Sequence, residues 1–197
     1  NGVLFVQNDE GGYNEGVVWN GLTAVTESPS GAEETPLYAD DIKYVVFYSN
    51  EEFGATIEAY TYPEEFEQCD GSAQLGEGVT VGQQARRSFG LVYKTAIGND
   101  IQGQDLGYKI HIIYGCKAAP SEKAYSTVND SPEAVTFSWE ISTVPVNVSG
   151  LKRTATVAID STKCKAEALA AIEDKLFGSE DGEASLLLPD EIKAMLQ

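Results

Sequence analysis

Ala134-Val135-Thr136-Phe137-Ser138-Trp139-Glu140-Ile141-Ser142-Thr143-Val144 decides the fold class of this chain. Val135, Phe137, Trp139 and Ile141 fall on one side of an extended backbone, and Thr136, Ser138, Glu140 and Ser142 on the other. A helix would scatter these apolar residues around its circumference, whereas a strand with one buried face needs a period of two. Pro145 follows and marks a strand end or an edge. The same alternation extends outward from this run. Gly107 to Cys116 and Ser88 to Ile97 read as strands, joined through the turn signal Gly98-Asn99-Asp100 and a further loop through Gly103. Val17 to Val25, Lys43 to Tyr48, Ala55 to Thr61 and Thr154 to Ile159 complete a mainly β pattern.

Two helices interrupt it. Pro63-Glu64-Glu65-Phe66 opens a short one, with proline in the first turn, acids at the positive end of the dipole and Gly71 as the stop. The second runs from about Lys163 to Phe177, where Leu169, Ile172 and Leu176 recur at helical spacing. Ser161 or Thr162 is its expected cap and Gly178 its end. After it, Leu186-Leu187-Leu188-Pro189-Asp190-Glu191 reads as an extended apolar piece leading into a last helical turn or two. Thr26 to Asp41 and Ala118 to Ser131, rich in turn residues, read as long loops, which in compact domains usually carry a function. No repeat or composition break divides the chain, so residues 1–197 are expected to form one domain.

The charge is unevenly placed. The first 82 residues hold sixteen carboxylates and one base, Lys43, out of a net −18 for the 197-residue chain. Such a surface repels a nucleic acid backbone over the Debye length, ~10 Å at 0.1 M salt. DNA binding is excluded on this ground, although passage of DNA without adhesion is not. No apolar run approaches the ~20 residues of a membrane span, and no signal peptide opens the chain. Cys69, Cys116 and Cys164 form no CxxC pair, which argues against both a disulfide framework and a structural zinc. Buried free thiols in a reducing compartment are the simpler expectation.

Catalytic patterns are missing or incomplete. A Ser-His-Asp triad would have to use His111, and no GxSxG elbow supplies its serine. His111 alternates with Lys109 and Ile113 on a strand, and Cys116 has the opposite parity, so no local Cys-His pair is expected. The acid pairs Glu33-Glu34, Asp40-Asp41, Glu51-Glu52 and Glu64-Glu65 sit near turn signals, where a solvated acidic face explains them. Gly76-Glu77-Gly78 lacks the lysine of a phosphate loop, and the acid spacing of Asp100 to Asp105 misses the calcium-loop pattern. The chain is expected not to be an enzyme and to carry no cofactor or metal. Arg86 and Arg87 are the one close arginine pair, better suited to carboxylates on this chain or a partner than to nucleic acid.

A longer pattern carries a resemblance. Pro36-Leu37-Tyr38-Ala39-Asp40-Asp41-Ile42-Lys43-Tyr44 is followed by Glu51-Glu52-Phe53-Gly54-Ala55-Thr56-Ile57-Glu58-Ala59-Tyr60-Thr61-Tyr62-Pro63-Glu64-Glu65-Phe66. Then come Gly82-Gln83-Gln84-Ala85-Arg86-Arg87-Ser88-Phe89-Gly90, Ile97-Gly98-Asn99-Asp100, Gly107-Tyr108-Lys109-Ile110-His111, Phe137-Ser138-Trp139-Glu140 and Leu188-Pro189-Asp190-Glu191. In this order they resemble the major tail proteins of long-tailed, non-contractile bacteriophages. Each piece alone could be any strand and turn; their order and extent, from about Trp19 to Leu196, carry the likeness.

The resemblance implies a tail-tube β-sandwich or barrel with one flanking helix and long loops. It further implies hexameric rings that stack head to tail around a tape-measure protein, meet tail terminator and distal tail proteins, and conduct the genome during ejection. The expected location is then the virion tail, assembled in the host cytoplasm. Residues 26–41 would be an inter-ring stacking loop and 178–197 a carboxyl-terminal arm. Glu51, Glu52 and Glu58 are the candidate acidic lumen or loop residues. Arg86, Arg87, Lys152 and Arg153 are the candidate bases for pairing with acids across subunits. A tail terminator, a distal tail protein, a head decoration protein and an immunoglobulin-like binding module share the same strands and turns and stand as the alternatives.

Overall fold

The computed structural model describes residues 2–99, 103–123, 134–179 and 182–196. In chain order the strands are β1 (Gly2–Val6), β2 (Val17–Trp19), β3 (Leu22–Glu27), β4 (Ser30–Gly31), β5 (Glu34–Ala39), β6 (Ile42–Tyr48), β7 (Glu51–Glu52) and β8 (Gly54–Ala59). A 3-10 turn (Glu64–Phe66) and helix α1 (Glu67–Asp70) follow, then β9 (Ala73–Gly76), β10 (Val79–Val81), β11 (Phe89–Asn99), β12 (Gly103–Ala118), β13 (Phe137–Thr143) and β14 (Thr156–Asp160). Helices α2 (Ala166–Phe177) and α3 (Pro189–Met195) close the described chain.

Eight strands form one antiparallel sheet in the order β2-β1-β11-β12-β13-β8-β3, with β14 also paired to β12. The ends of that order, β2 and β3, are separated in sequence only by Asn20 and Gly21, so the sheet must curl back on itself. Trp19 at one end therefore packs in the same cluster as Ile57 and Trp139 near the other. No ladder closes β2 to β3 among the described residues, and the result is sandwich-like rather than a closed barrel. The fold is mainly β, as the alternation implies.

Parity explains the two cores. On β1, Leu4 and Val6 enter the inner cluster with Phe66, Phe89, Leu91 and Trp139, while Val3 and Phe5 enter a second cluster beneath α2 and α3. All five residues of β1 are buried. Its continuous apolar run is the signature of a strand covered on both faces, which alternation alone does not reveal. Leu169, Ile172 and Leu176 of α2 face this second cluster, each contributing about 1.5–3 kcal/mol by burial. Lys94 Nζ reaches Glu173 Oε1 at 2.5 Å and fastens α2 to β11.

Gly115 controls where β12 goes. Its φ of +57° and a register shift opposite Phe89 and Leu91 make a bulge. Residues before it pair with β14 and residues after it with β13, so the sheet splits there. A Cβ on Gly115 would lie 2.5 Å from the Val144 carbonyl oxygen. The bulge also resets parity: Cys116 shares the inner cluster with Ile113, contrary to the expectation from simple alternation. No Cys-His pair results, because the Cys116 thiol is buried and turned 3.8 Å from the Ile113 carbonyl, where burial raises its pKa.

Other boundaries shift for local reasons. Lys165, not Ser161 or Thr162, is the N-cap of α2; Thr162 instead donates its N–H and hydroxyl to Asp160 Oδ1. Gly71 ends α1 at φ +82° as anticipated. Within the expected arm 178–197, residues 184–195 pack on the body. Leu187, Pro189 and Ile192 are buried, the Leu187 carbonyl accepts from Tyr114 Oη at 2.8 Å, and α3 joins α2 as a second flanking helix. Gly76-Glu77-Gly78 makes the turn of the β9–β10 hairpin. Gly98 and Asn99 finish β11 and Gly103 to Asp105 begin β12, with Asn99 paired to Gly103, while residues 100–102 and 124–131 lie outside the described residues.

Candidate assembly surface

Between β3 and β8 the chain leaves the body. Residues expected to form a loop from Thr26 to Asp41 instead finish β3, form β4 and β5, and pair with β6 and β7. The outcome is an arm: a long hairpin of β5 and β6 rooted on the short β4–β7 ladder. Its turn residues Asp40 and Asp41 have φ of +52° and +59°. Two consecutive left-handed residues define the hairpin turn whose twist suits the flanking strands. The Asp40-Asp41 pair thus forms the hairpin turn.

The register sorts the arm into two faces. Thr35 opposes Phe47, Leu37 opposes Val45 and Ala39 opposes Ile42, while a bulge at Tyr44 keeps the faces in step. One face is consequently Thr35, Leu37, Ala39, Ile42, Val45 and Phe47, with no charge on it. The other carries Glu34, Pro36, Tyr38, Lys43, Val46 and Tyr48, with an ion pair between Lys43 and Glu34. On the apolar face Ile42 is 62% and Phe47 59% exposed. Among the described residues, nothing in the body covers it. A two-stranded hairpin is marginal in water by itself, and apolar patches beyond a few hundred Å² mark interaction surfaces.

At the root of the arm lies a cleft of about 1050 Å³. Tyr48 to Phe53 line it together with Thr143, Pro145 and Lys152 to Thr156. It opens where β13 and β14 diverge from β12. The structure therefore brings together four of the residues singled out from sequence: Glu51, Glu52, Lys152 and Arg153 line the same cleft. Among the described residues neither base has an ion pair within 4 Å. The turn before Lys152 is pinned to α3, since Ser149 donates its N–H and hydroxyl to the Asp190 carboxylate at 2.9 and 2.8 Å. These two bonds hold the Asp190 carboxyl below its ordinary pKa.

Arg86 and Arg87 do not line this cleft, and each is engaged within the chain. Arg86 donates to the Ala118 carbonyl at 3.1 Å and lies 3.9 Å from Asp70. Arg87 pairs with Asp9 at 2.9 Å. Asp70, a buried acid, also accepts from Trp139 Nε1 at 3.0 Å and pairs with Lys123. A buried carboxylate needs such partners, so this arginine is structural.

Glu58 lies elsewhere again, on the outer face of β8. Cross-strand pairing sets it beside Ser138 and Ala24, with Thr56, Glu140 and Thr26 in the next row. This sheet face is polar and carries Glu58 and Glu140, with Lys117 opposite Ser142 in the following row, while Ala55, Ile57 and Ala59 point to the core.

His111 does not form a reactive centre. Its ring stacks on Tyr93 at 4.8 Å, with Nε2 2.9 Å from Thr95 Oγ1 and Nδ1 3.5 Å from Glu27 Oε1. Burial lowers its pKa against the opposing pull of Glu27. Tyr93 also donates to Glu27 at 3.0 Å, tying β11 to β3 across the curled sheet. Burial pushes the Cys69 thiol up to about 12, so it is held as an unreactive neutral group. Among the described residues no cluster of metal-ligating side chains occurs, and no helix is long and apolar enough to cross a membrane.

The arm's apolar face is what sequence reading missed. Its signal was present: two β-type runs flanking Asp40-Asp41 make a hairpin pattern. Pro36 and the neighbouring acids outweighed that signal.

No family model matches the sequence, and no curated protein does. Among solved structures, a chain of the "anti-feeding prophage (AFP) baseplate, 6-fold symmetrised", determined by cryo-EM, overlays 83% of this chain and 94% of its own length. The TM-score is 0.38 at 5% identity, too slight a likeness to argue from.

Proposed function

We propose that this protein is a structural rather than catalytic subunit, which polymerises with its own copies into the hollow tail tube of a long-tailed bacteriophage. The observation that carries the reading is the uncovered apolar face of the arm, Leu37, Ile42, Val45 and Phe47. An isolated monomer has no use for it, and a polymer buries it once per copy. The ordered run of tail-protein-like segments supports the same reading and selects the tube among assembling β-proteins. In the assembled particle its neighbours would be further copies of itself, the tape-measure protein within and the terminator and distal proteins at the ends.

The outer sheet face that carries Glu58 and Glu140 fits the lumen wall. Fixed carboxylates facing a polyphosphate repel it at short range, so DNA would slide without adhering. Glu51 and Glu52, at the root of the arm, belong to a contact between copies instead.

Sedimentation and negative-stain microscopy across a concentration series test this reading. Rings or hollow tubes are expected. A protein that stays monomeric at millimolar concentration, or that assembles only into closed dimers, overturns it. Tubes of wild-type protein should also leave duplex DNA free in a gel shift at low salt.

A further inference from the structure

Strand β14 pairs with β12 alone, so its second edge runs without a partner strand among the described residues. An edge of this kind is a ready template for pairing with another chain. Parity settles which groups lie on it. Tyr114 donates its N–H to the Ala155 carbonyl at 2.8 Å, and Ser161 donates its own to the Tyr108 carbonyl at 3.0 Å. Ala155, Val157, Ile159 and Ser161 therefore turn their backbone groups towards β12, and Thr156, Ala158 and Asp160 turn theirs outwards.

Most of this outward edge is occupied from within the chain. The Thr154 hydroxyl donates to the Thr156 carbonyl at 2.8 Å and accepts from the Thr156 N–H at 3.2 Å, so one side chain takes up both outward groups of that residue. Thr154 itself exchanges backbone bonds with Val146, at 3.0 and 2.8 Å. At the other end the Asp160 carbonyl accepts from the N–H groups of Lys163 and Cys164, at 3.2 and 3.1 Å. Between the two stands Ala158, exposed and small, with its backbone groups aimed outwards. A lone open residue offers an incoming strand too few hydrogen bonds to offset the cost of holding two chains in register.

We propose that Thr154 is a gatekeeper that keeps β14 from pairing with β14 of a second copy. The gate stands whether or not the chain builds tubes, because it concerns a contact the molecule refuses rather than one it makes. The refused contact is a defined one. An antiparallel pair centred on Ala158 sets Ala158 against Ala158, and Thr156 against Asp160 in both directions, with no like charges opposed. Such a dimer is isologous and closed, so it would withdraw copies from any head-to-tail polymer. A side-chain hydroxyl serves here where other edges carry a lysine or a proline, by satisfying the backbone locally.

Removing the hydroxyl at constant shape tests the gate. Thr154→Val frees both outward groups of Thr156 and should favour a dimer about tenfold or more in sedimentation, at concentrations where wild type is monomeric. Thr154→Ser, which keeps a hydroxyl, should behave as wild type. Adding Ala158→Pro to Thr154→Val should restore the monomer, since proline withholds the outward N–H at no cost in bonds to β12. Association caused by unfolding would instead grow with the added proline, and near-ultraviolet circular dichroism would change. Should the valine variant fail to fold, Thr154→Ala removes the hydroxyl with less bulk. A folded hydroxyl-free variant that stays monomeric, a serine variant that dimerises, or a dimer indifferent to Ala158→Pro overturns the gate. So does unfolding of both hydroxyl-free variants, which makes Thr154 a residue of the fold alone.

Discussion

The inner cluster and the arm are made of the same material. Trp19, Phe66, Trp139 and Tyr62 in one, and Tyr38, Tyr44, Phe47 and Tyr48 in the other, sit in or beside alternating strands. In the body the aromatic rings meet: Trp19 and Phe66 lie 4.6 Å apart, Phe66 and Trp139 4.9 Å. In the arm, Tyr44, the bulged residue of β6, is 72% exposed. The difference is whether a second layer exists. A curled sheet supplies its own cover, whereas a projecting hairpin leaves both faces to solvent until another molecule arrives. Stability belongs to the first region and association to the second.

Substitutions can break this division. Trp139→Ala should act most strongly, since it empties the centre of the aromatic cluster and removes a hydrogen-bond donor from buried Asp70. A loss of about 3–5 kcal/mol in urea unfolding is expected. A loss under 1 kcal/mol would mean that the cluster is not the core. Gly115→Ala comes next, because it places a Cβ against the Val144 carbonyl at positive φ, and about 1–3 kcal/mol should be lost. The cleft should change with it, as the same bulge sets where β13 and β14 part.

The arm should respond in the opposite sense. Phe47→Ser together with Val45→Ser should leave the monomer's unfolding free energy within about 0.5 kcal/mol, since both side chains are exposed. Assembly should nevertheless be lost in sedimentation. Destabilisation of the monomer without loss of assembly would reverse the roles given to the two regions.

The smallest effect concerns His111, at the Tyr93–Glu27 tie. Its pKa is lower in the folded chain than the ordinary 6.5, so folding favours the neutral ring. That contribution is complete above about 6.5 and is lost as pH falls through the lowered folded value. The stability difference between wild type and His111→Gln should therefore change across this window and be flat above pH 7. A difference that grows in wild type's favour on acidification would show that pairing with Glu27 outweighs burial.

Much of the body was legible because its signals are local. The Phe137–Ile141 alternation, the Leu169-Ile172-Leu176 spacing and the Gly71 stop each fall within a few residues and match the structure. Arg86 and Arg87 were legible as carboxylate partners, but the acids that take them, Asp70 and Asp9, lie far along the chain from one or both. Cys116 was misplaced because a single bulge at Gly115 inverts everything after it. Of the candidate surface, Glu51, Glu52, Lys152 and Arg153 were visible as charges, while their placement around one cleft was not.

The sequence alone determined a mainly β chain, acidic in its first half, with one clear helix and no assembled catalytic motif. Periodicity and composition are properties of neighbours, and neighbours are what a sequence lists. The tertiary structure decided that β1 is covered on both faces, that β12 forks, and that residues 34–48 stand away from the body. Those outcomes depend on contacts between residues tens of positions apart, where the free energy of burial is settled by which surfaces find a cover.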